Sequence, residues 1–248
     1  MNGIKIFSEN YVNKNCAFTF SSGSETQDKL YDQNQKTQWM SYGSYNGKIE
    51  IIEIEFRNWQ GQIVERTIDK IILLNHNIKH GTMEYWGGSA WNAWTVGTLI
   101  FNDKVDNILS VEKITTSKIR FKPTTITADI GEKAVGELKA CCSILEPSNW
   151  LTEFKRKDYD NSGNYRLAKG SLVSWKEWNK VEGTLDIKNI SLDEMRILKE
   201  YSNKNITIVF YDDFDLKETF EFVITNPIRY TFDRKTKFYE TSLELKEI

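Results

Sequence analysis

Three groups of residues in this 248-residue chain have types and spacings that could do chemistry. The first is Asp32, Asn34, Thr37 and Trp39 in LYDQNQKTQWMS, where an indole closes a run of polar side chains. Short side chains of this kind hydrogen-bond their own backbone, so the run predicts a rigid hook that seats Trp39 in a core as a plug. Full burial of such a ring contributes about 2 to 3 kcal/mol, enough to hold an otherwise costly loop. The second group is Trp86, Trp91 and Trp94 in EYWGGSAWNAW, expected at a sandwich edge. Exposed indoles there can stack on sugar rings; the same anchors equally suit a neighbouring subunit or the chain's own core. The third is titratable. His76 and His80 have the i, i+4 spacing that puts two metal ligands together on a helix, but they follow a strand, so no metal site is expected. Asp158, Asp160, Ser162 and Gly163 begin like a calcium loop, yet Lys169 stands where a bidentate glutamate is required, and a hairpin is expected instead.

A nucleophile elbow, HExxH, a phosphate-cradling glycine loop and a dinucleotide fingerprint are all absent, and the chain is read as a non-enzyme. The 33 basic and 35 acidic side chains nearly cancel, with no long block of one sign, which argues against nucleic acid as a partner. No run of eighteen apolar residues and no signal-peptide core are visible, so neither membrane insertion nor export is expected. Cys16, Cys141 and Cys142 are odd in number and fit small hydrophobes in a β-core.

Elements that would position these residues read as mainly β. KIEIIEIEF (48–56) holds two period-2 registers joined by a slip, which predicts a strand with a bulge. IDKIILLN (68–75) carries an unbroken apolar run, as expected of a central strand covered on both faces. Further strands are expected at 81–86, 95–101 and 118–122, without helical periodicity before about residue 140. Short strands at this spacing predict an antiparallel sandwich. EPSNW (146–150) places a domain boundary, giving domains 1–146 and 147–248. In the second, WLTEFKRKDYDNSGNYRLAKG predicts a hairpin. SLDEMRILKEYS predicts a helix at about 191–202, with Ser191 and Glu194 as a capping box and Leu192, Met195, Leu198 and Tyr201 on one face. Four strand candidates follow it, so this half is expected to be a β-sandwich or barrel with one packed helix.

Residues 4–145, through CAFTFSSGSETQDKLYDQNQKTQWMS, KIEIIEIEF, TIDKIILLNHN, TTSKIRFKP and GELKACC in that order, resemble the galactose-binding-like jelly roll of discoidin, or coagulation factor type C, domains and related carbohydrate-binding modules. The resemblance implies a structural calcium at Asp32, Thr37 and Glu137, beside the simpler reading of a loop satisfied by its own hydrogen bonds. Gln33 departs from the glycine usual at its position. The order of elements over 148–248 is similar to the tail-tube-like domains of phage distal tail and tail-hub proteins.

Together these imply a structural component of a phage tail tip or baseplate, assembled in the bacterial cytoplasm. Its C-terminal domain would build a trimeric or hexameric ring with itself and other tail proteins, and its jelly roll would contact neighbours or the host surface. The alternative is a non-catalytic protein that recognises a cell-surface polysaccharide through its tryptophans.

Overall fold

Alternation of apolar and polar residues decides which way each strand faces, and in a computed structural model of the chain it builds two separate cores. The structure describes residues 3–34, 36–42, 47–94, 99–100, 106–127, 131–147, 150–166, 172–212 and 215–248. In chain order the strands are β1 (Gly3–Ser8), β2 (Ala17–Phe20), β3 (Trp39–Met40), β4 (Ile52–Glu55), β5 (Arg66–His76), β6 (Ile78–Trp86), β7 (Trp91–Ala93), β8 (Leu99–Ile100) and β9 (Asn107–Thr116). There follow β10 (Lys118–Ile126), β11 (Ala134–Cys141), β12 (Ser143–Leu145), β13 (Leu151–Arg166), β14 (Leu172–Ile190), helix α1 (Leu192–Glu200), β15 (Asn205–Asp212), β16 (Asp215–Ile224), β17 (Tyr230–Asp233) and β18 (Phe238–Glu247).

One compact unit is Asn10–Ser143 and the other combines Met1–Glu9 with Ile144–Ile248. The division expected at residue 146 therefore falls three residues earlier, and the first strand belongs with the C-terminal half. β1 pairs antiparallel with β15, from Gly3 opposite Tyr211 to Ser8 opposite Ile206. A pairing across two hundred residues leaves no local signal in the sequence.

Unit Asn10–Ser143 is a jelly-roll sandwich of two sheets, ordered β2-β4-β10-β6-β7, with β8 beside β6, and β3-β11-β5-β9. Ile52, Ile54, Phe56, Ile119, Phe121 and Met83 from the first sheet meet Ile68, Ile71, Leu73, Val135 and Leu138 from the second in one core. The apolar run on β5 is an interior strand, as expected, and Ile71 to Leu74 are all buried. The slip expected in KIEIIEIEF does not occur. Burial runs unbroken through Glu50, Ile52, Ile54 and Phe56, while Ile49 is exposed. Glu50 takes an inward position because the Ser21 and Ser22 hydroxyls donate to its Oε2 and Lys48 Nζ lies 3.0 Å from its Oε1. A 3-10 segment, Ser24–Leu30, kinked at Thr26, also interrupts the run of strands that was expected before residue 140.

Trp39 is fully buried and closes the edge of this sandwich. Its backbone pairs with Val135 of β11, and its ring stacks on Phe20 of the opposite sheet at 6.1 Å between centroids. Phe20 in turn stacks on Phe18, and Phe18 on Tyr31. Gly23 makes room for the indole: it has φ +72°, and a Cβ there would stand 2.0 Å from the Met40 carbonyl oxygen and 2.9 Å from Trp39 Nε1.

The other unit is an antiparallel sheet ordered β12-β1-β15-β16-β18-β14-β13, with β17 against β18. Its core joins Ile4, Ile6, Leu185, Ile187, Ile206, Ile208, Phe222 and Leu243 with Leu198 of α1. The capping box forms as expected, Glu194 N–H donating to Ser191 Oγ and Ser191 N–H to Glu194 Oε2. Leu192, expected on the buried stripe, is instead exposed, and the helix buries Leu198 with Met195 partly covered. The hairpin expected within 150–170 does not form there: Leu151–Arg166 is one continuous strand, β13, which pairs instead with β14, from Leu151 opposite Lys188 to Arg166 opposite Leu172. Residues 158, 160, 162 and 163 lie within β13 and not in its turn, and Lys169 falls outside the described residues.

Overpacking at Gly23 adds to the cost of a left-handed backbone, so Gly23→Ala is expected to lower unfolding free energy by about 3 kcal/mol in a denaturant titration. Gly88→Ala, with φ +91° but open space around it, should lose only about 1 kcal/mol.

Candidate functional site

The groups singled out by residue type end in different places. In the hook, Asp32 Oδ1 accepts from the Asn34 N–H (2.9 Å), Asn34 Oδ1 from the Lys36 N–H (3.1 Å), and the Thr37 hydroxyl lies 2.7 Å from Asp32 Oδ2. The Thr37 N–H donates to the Asn34 carbonyl at 3.0 Å. Gln33, where glycine would be at ease, sits at φ +58°. These bonds bring Asp32, Asn34 and Thr37 together and lead directly into buried Trp39.

Glu137, expected as a ligand beside that hook, is engaged in an ion pair. Its Oε2 lies 2.8 Å from Lys139 Nζ, both side chains being almost wholly buried, and Lys29 Nζ stands 3.6 Å from Asp32 Oδ2. Calcium takes six to eight hard oxygens. Here the carboxylates already face ammonium groups and the loop oxygens already accept from N–H and O–H donors, so the residues as arranged do not fit the ion. Among the described residues no group of three or more His, Cys, Asp or Glu could hold a metal. His76 and His80 lie on different sheets, at the end of β5 and on β6. His76 Nδ1 accepts from the Ile78 N–H at 3.1 Å and Nε2 faces Asn107 at 2.9 Å, while His80 Nδ1 meets the Thr125 hydroxyl at 2.5 Å. Burial holds the His76 ring neutral and drives its pKa down to about 4.

The tryptophan group divides by strand parity. Trp86 is the last residue of β6 and Trp91 the first of β7, directly opposite each other, with ring centroids 5.5 Å apart at 68°. Both are partly exposed. Trp94, three residues after Trp91, falls on the other face. It is buried, packs against Tyr85 and donates from Nε1 to the Glu112 carbonyl at 2.9 Å. The expectation that all three line one edge is thus corrected: period-2 geometry sends 91 and 94 to opposite sides.

Around Trp91 the outer face of the six-stranded sheet carries residues that no sequence motif marks. Arg120 lies with its guanidinium carbon 4.3 Å from the Trp91 ring centroid. That planar group is fixed by Glu84, which accepts from Arg120 Nε at 2.5 Å, and by Glu53, 3.3 Å from Nη1. Lys122 Nζ lies 2.7 Å from Glu84 Oε1. Burial would raise the Glu84 pKa, but Lys122 and Arg120 outweigh it and hold the carboxyl below its usual range. One rung along, Lys118 Nζ and Arg57 Nη2 each lie 2.6 Å from Glu55, and Lys118 above all depresses its pKa. The only sequence signal for this network is the even spacing of Glu53 and Glu55 against Lys118, Arg120 and Lys122 on paired strands.

No family model matches the chain. No curated protein matches it either. Solved structures do. One is the CpGH89CBM32-5 module from Clostridium perfringens in complex with GalNAc-beta-1,3-galactose, 15% identical, covering 53% of this chain and 99% of its own, with TM-score 0.44. Another is the family 32 module of NanJ from C. perfringens in complex with galactose, 11% identical over 56% of this chain and 98% of its own, TM-score 0.43. A third is chitosan-binding module 2 of a chitosanase/glucanase from Paenibacillus sp. IK-5 in complex with chitotriose, 19% identical over 51% and 95%, TM-score 0.41.

Two measurements follow from this geometry. Because the folded His76 pKa of about 4 lies below the ordinary 6.5, the unfolded chain binds this proton first. Its contribution is complete above pH 6.5 and is lost on acidification towards pH 4, roughly 3 kcal/mol across the window. Denaturant midpoints for His76→Gln should lack that part of the slope. For the hook, the melting temperature in millimolar calcium should equal that in chelator, since the Asp32 and Thr37 side-chain oxygens are already engaged within the loop.

Proposed function

We propose that the chain is a non-catalytic carbohydrate-binding protein, and that Trp91 with Trp86, Arg120, Glu84 and Glu53 forms its sugar-binding face. A sugar ring offers a flat patch of C–H groups and a rim of hydroxyls that each donate and accept. Recognition therefore needs an aromatic plane beside rigid, polar groups. The observation that carries the reading is the Trp91 indole held edge-on by Trp86 and overlain by a guanidinium that two carboxylates lock in place.

Charge favours a neutral ligand. Glu53, Glu55 and Glu84 stand against Arg57, Lys118, Arg120 and Lys122, already in ion pairs with one another. A polyhydroxyl partner can share these bonds without bringing a counter-charge, whereas a strongly charged partner would have to break them. The face also sits on paired strands, which keep such groups positioned better than loops do. The ring-forming tail role read from the order of the C-terminal elements has no such observation behind it, and the carbohydrate reading takes its place as the leading one.

A glycan array probed with the full chain is expected to return binding to neutral oligosaccharides. Trp91→Ala should weaken a hit at least tenfold, about 1.4 kcal/mol, while its circular dichroism stays that of the folded chain. Arg120→Lys should also weaken it, because an ammonium lacks the planar fork. A silent array, or full-strength binding by Trp91→Ala, overturns the assignment.

A further inference from the structure

Trp59 is 81% exposed, far more than any other large apolar side chain recorded as exposed among the described residues. It stands at the tip of the turn between β4 and β5, and that turn is tightly pinned. Asn58 N–H donates to the Gln62 carbonyl (2.9 Å) and Gly61 N–H to the Asn58 carbonyl (3.0 Å). Asn58 Oδ1 accepts from both the Gln60 and Gln62 N–H groups at 3.0 Å, and its Nδ2 donates to Gln62 Oε1 at 3.0 Å. Gly61 supplies the left-handed residue at φ +78°, and Arg57 and Ile63 bridge at the base. A side chain that size set in water on a rigid stem contributes nothing to the core and is preorganised for a partner.

Its stem rises from the same rung of the sheet as the tryptophan pair. Glu55 of β4 lies opposite Lys118, and Lys118 is one residue before the Ile119–Tyr85 pair, which places Trp86 and then Trp91 next along the rung. On β2, β4 and β10 of the same sheet lies an open crevice of about 170 Å³, lined by Ala17, Thr19, Glu53, Glu55, Lys118 and Arg57, two residues before Trp59. Glu53 belongs both to this crevice and to the clamp on Arg120. Four neighbouring strands at about 4.8 Å separate β7 from β4 by roughly 14 Å, wider than one sugar ring.

We infer that the binding face is a strip running from Trp91 past the Arg120–Glu53 ion pair and along the crevice to Trp59, and that it reads several consecutive units of a neutral polysaccharide chain. This rests on the carbohydrate reading above. Trp91 takes one ring, the paired charges of the crevice hydrogen-bond the hydroxyls of the next, and Trp59 stacks on a ring further along. Terminal sugars alone would leave Trp59 unused.

The test is calorimetry of the full chain with galacto-, gluco- and N-acetylgluco-oligosaccharides of one to six units. Wild type should gain tenfold or more in affinity as the oligosaccharide that it binds lengthens. Trp59→Ala should bind the single sugar as wild type does but lose the gain with length, and its fold should be intact because the side chain touches no core. Binding of a long chain should also shield indole fluorescence from iodide in wild type more than in Trp59→Ala. Affinity independent of length, or a gain that persists in Trp59→Ala, overturns the strip while leaving the Trp91 site standing. Failure of wild type to bind any member of the series removes the carbohydrate reading together with the strip.

Discussion

Strict alternation across a β-strand is the constraint on which the rest depends. The sandwich needs Ile52, Ile54, Ile119, Phe121 and Met83 on one face of the six-stranded sheet to build a core. The same period then forces Glu53, Glu55, Lys118, Arg120 and Glu84 onto the other face, whatever they do there. Once outward, they stand on adjacent strands in register, and opposite charges pair across each rung. A face of paired charges made this way costs the core nothing. Its rigidity comes from backbone pairing that exists for stability.

Trp39 makes that sheet possible from the other side. Its ring spans the edge of the sandwich, stacking on Phe20 while its backbone extends the four-stranded sheet beside Val135. Two local devices serve it. The Asp32–Thr37 hook brings the chain in at a fixed angle, and Gly23 leaves out a Cβ where the indole nitrogen needs space. The hook spends its carboxylate and hydroxyl on its own backbone and neighbours, so a bound ion is not needed to explain its shape. Exposed Trp59 follows the opposite logic: its turn is equally well bonded, yet it presents the ring outward.

How much of this could be read beforehand depends on how local each signal is. The burial of Trp39, the interior position of β5 and the α1 capping box follow from neighbours within a dozen residues or so. Trp94 could have been assigned to the core by parity alone, since three residues separate it from Trp91 on a strand. KIEIIEIEF misled because Glu50 occupies an apolar phase, and only Ser21, Ser22 and Lys48, which fold against it, reveal why. The 3-10 helix carries too few residues to show a period. Arg120 and Glu84 are thirty-six residues apart, and their pairing requires knowing which strands are neighbours.

The least legible feature is the chain order itself. β1 opens the sequence, yet it lies between β12 and β15 in the C-terminal sheet, so the sandwich Asn10–Ser143 is an insertion within the other unit. The ends of the insert fasten to each other: the Tyr11 N–H donates to the Ala140 carbonyl at 3.0 Å, and Asn10 Oδ1 accepts from the Ala140 N–H at 3.1 Å. Adjacent termini are what allow one domain to be placed inside another without disturbing either. A cut at residue 146 would run against that design. It would strip β1 from an interior position, leave the backbone groups of β15 along that edge unpaired, and send Ile4 and Ile6 away from the core they fill.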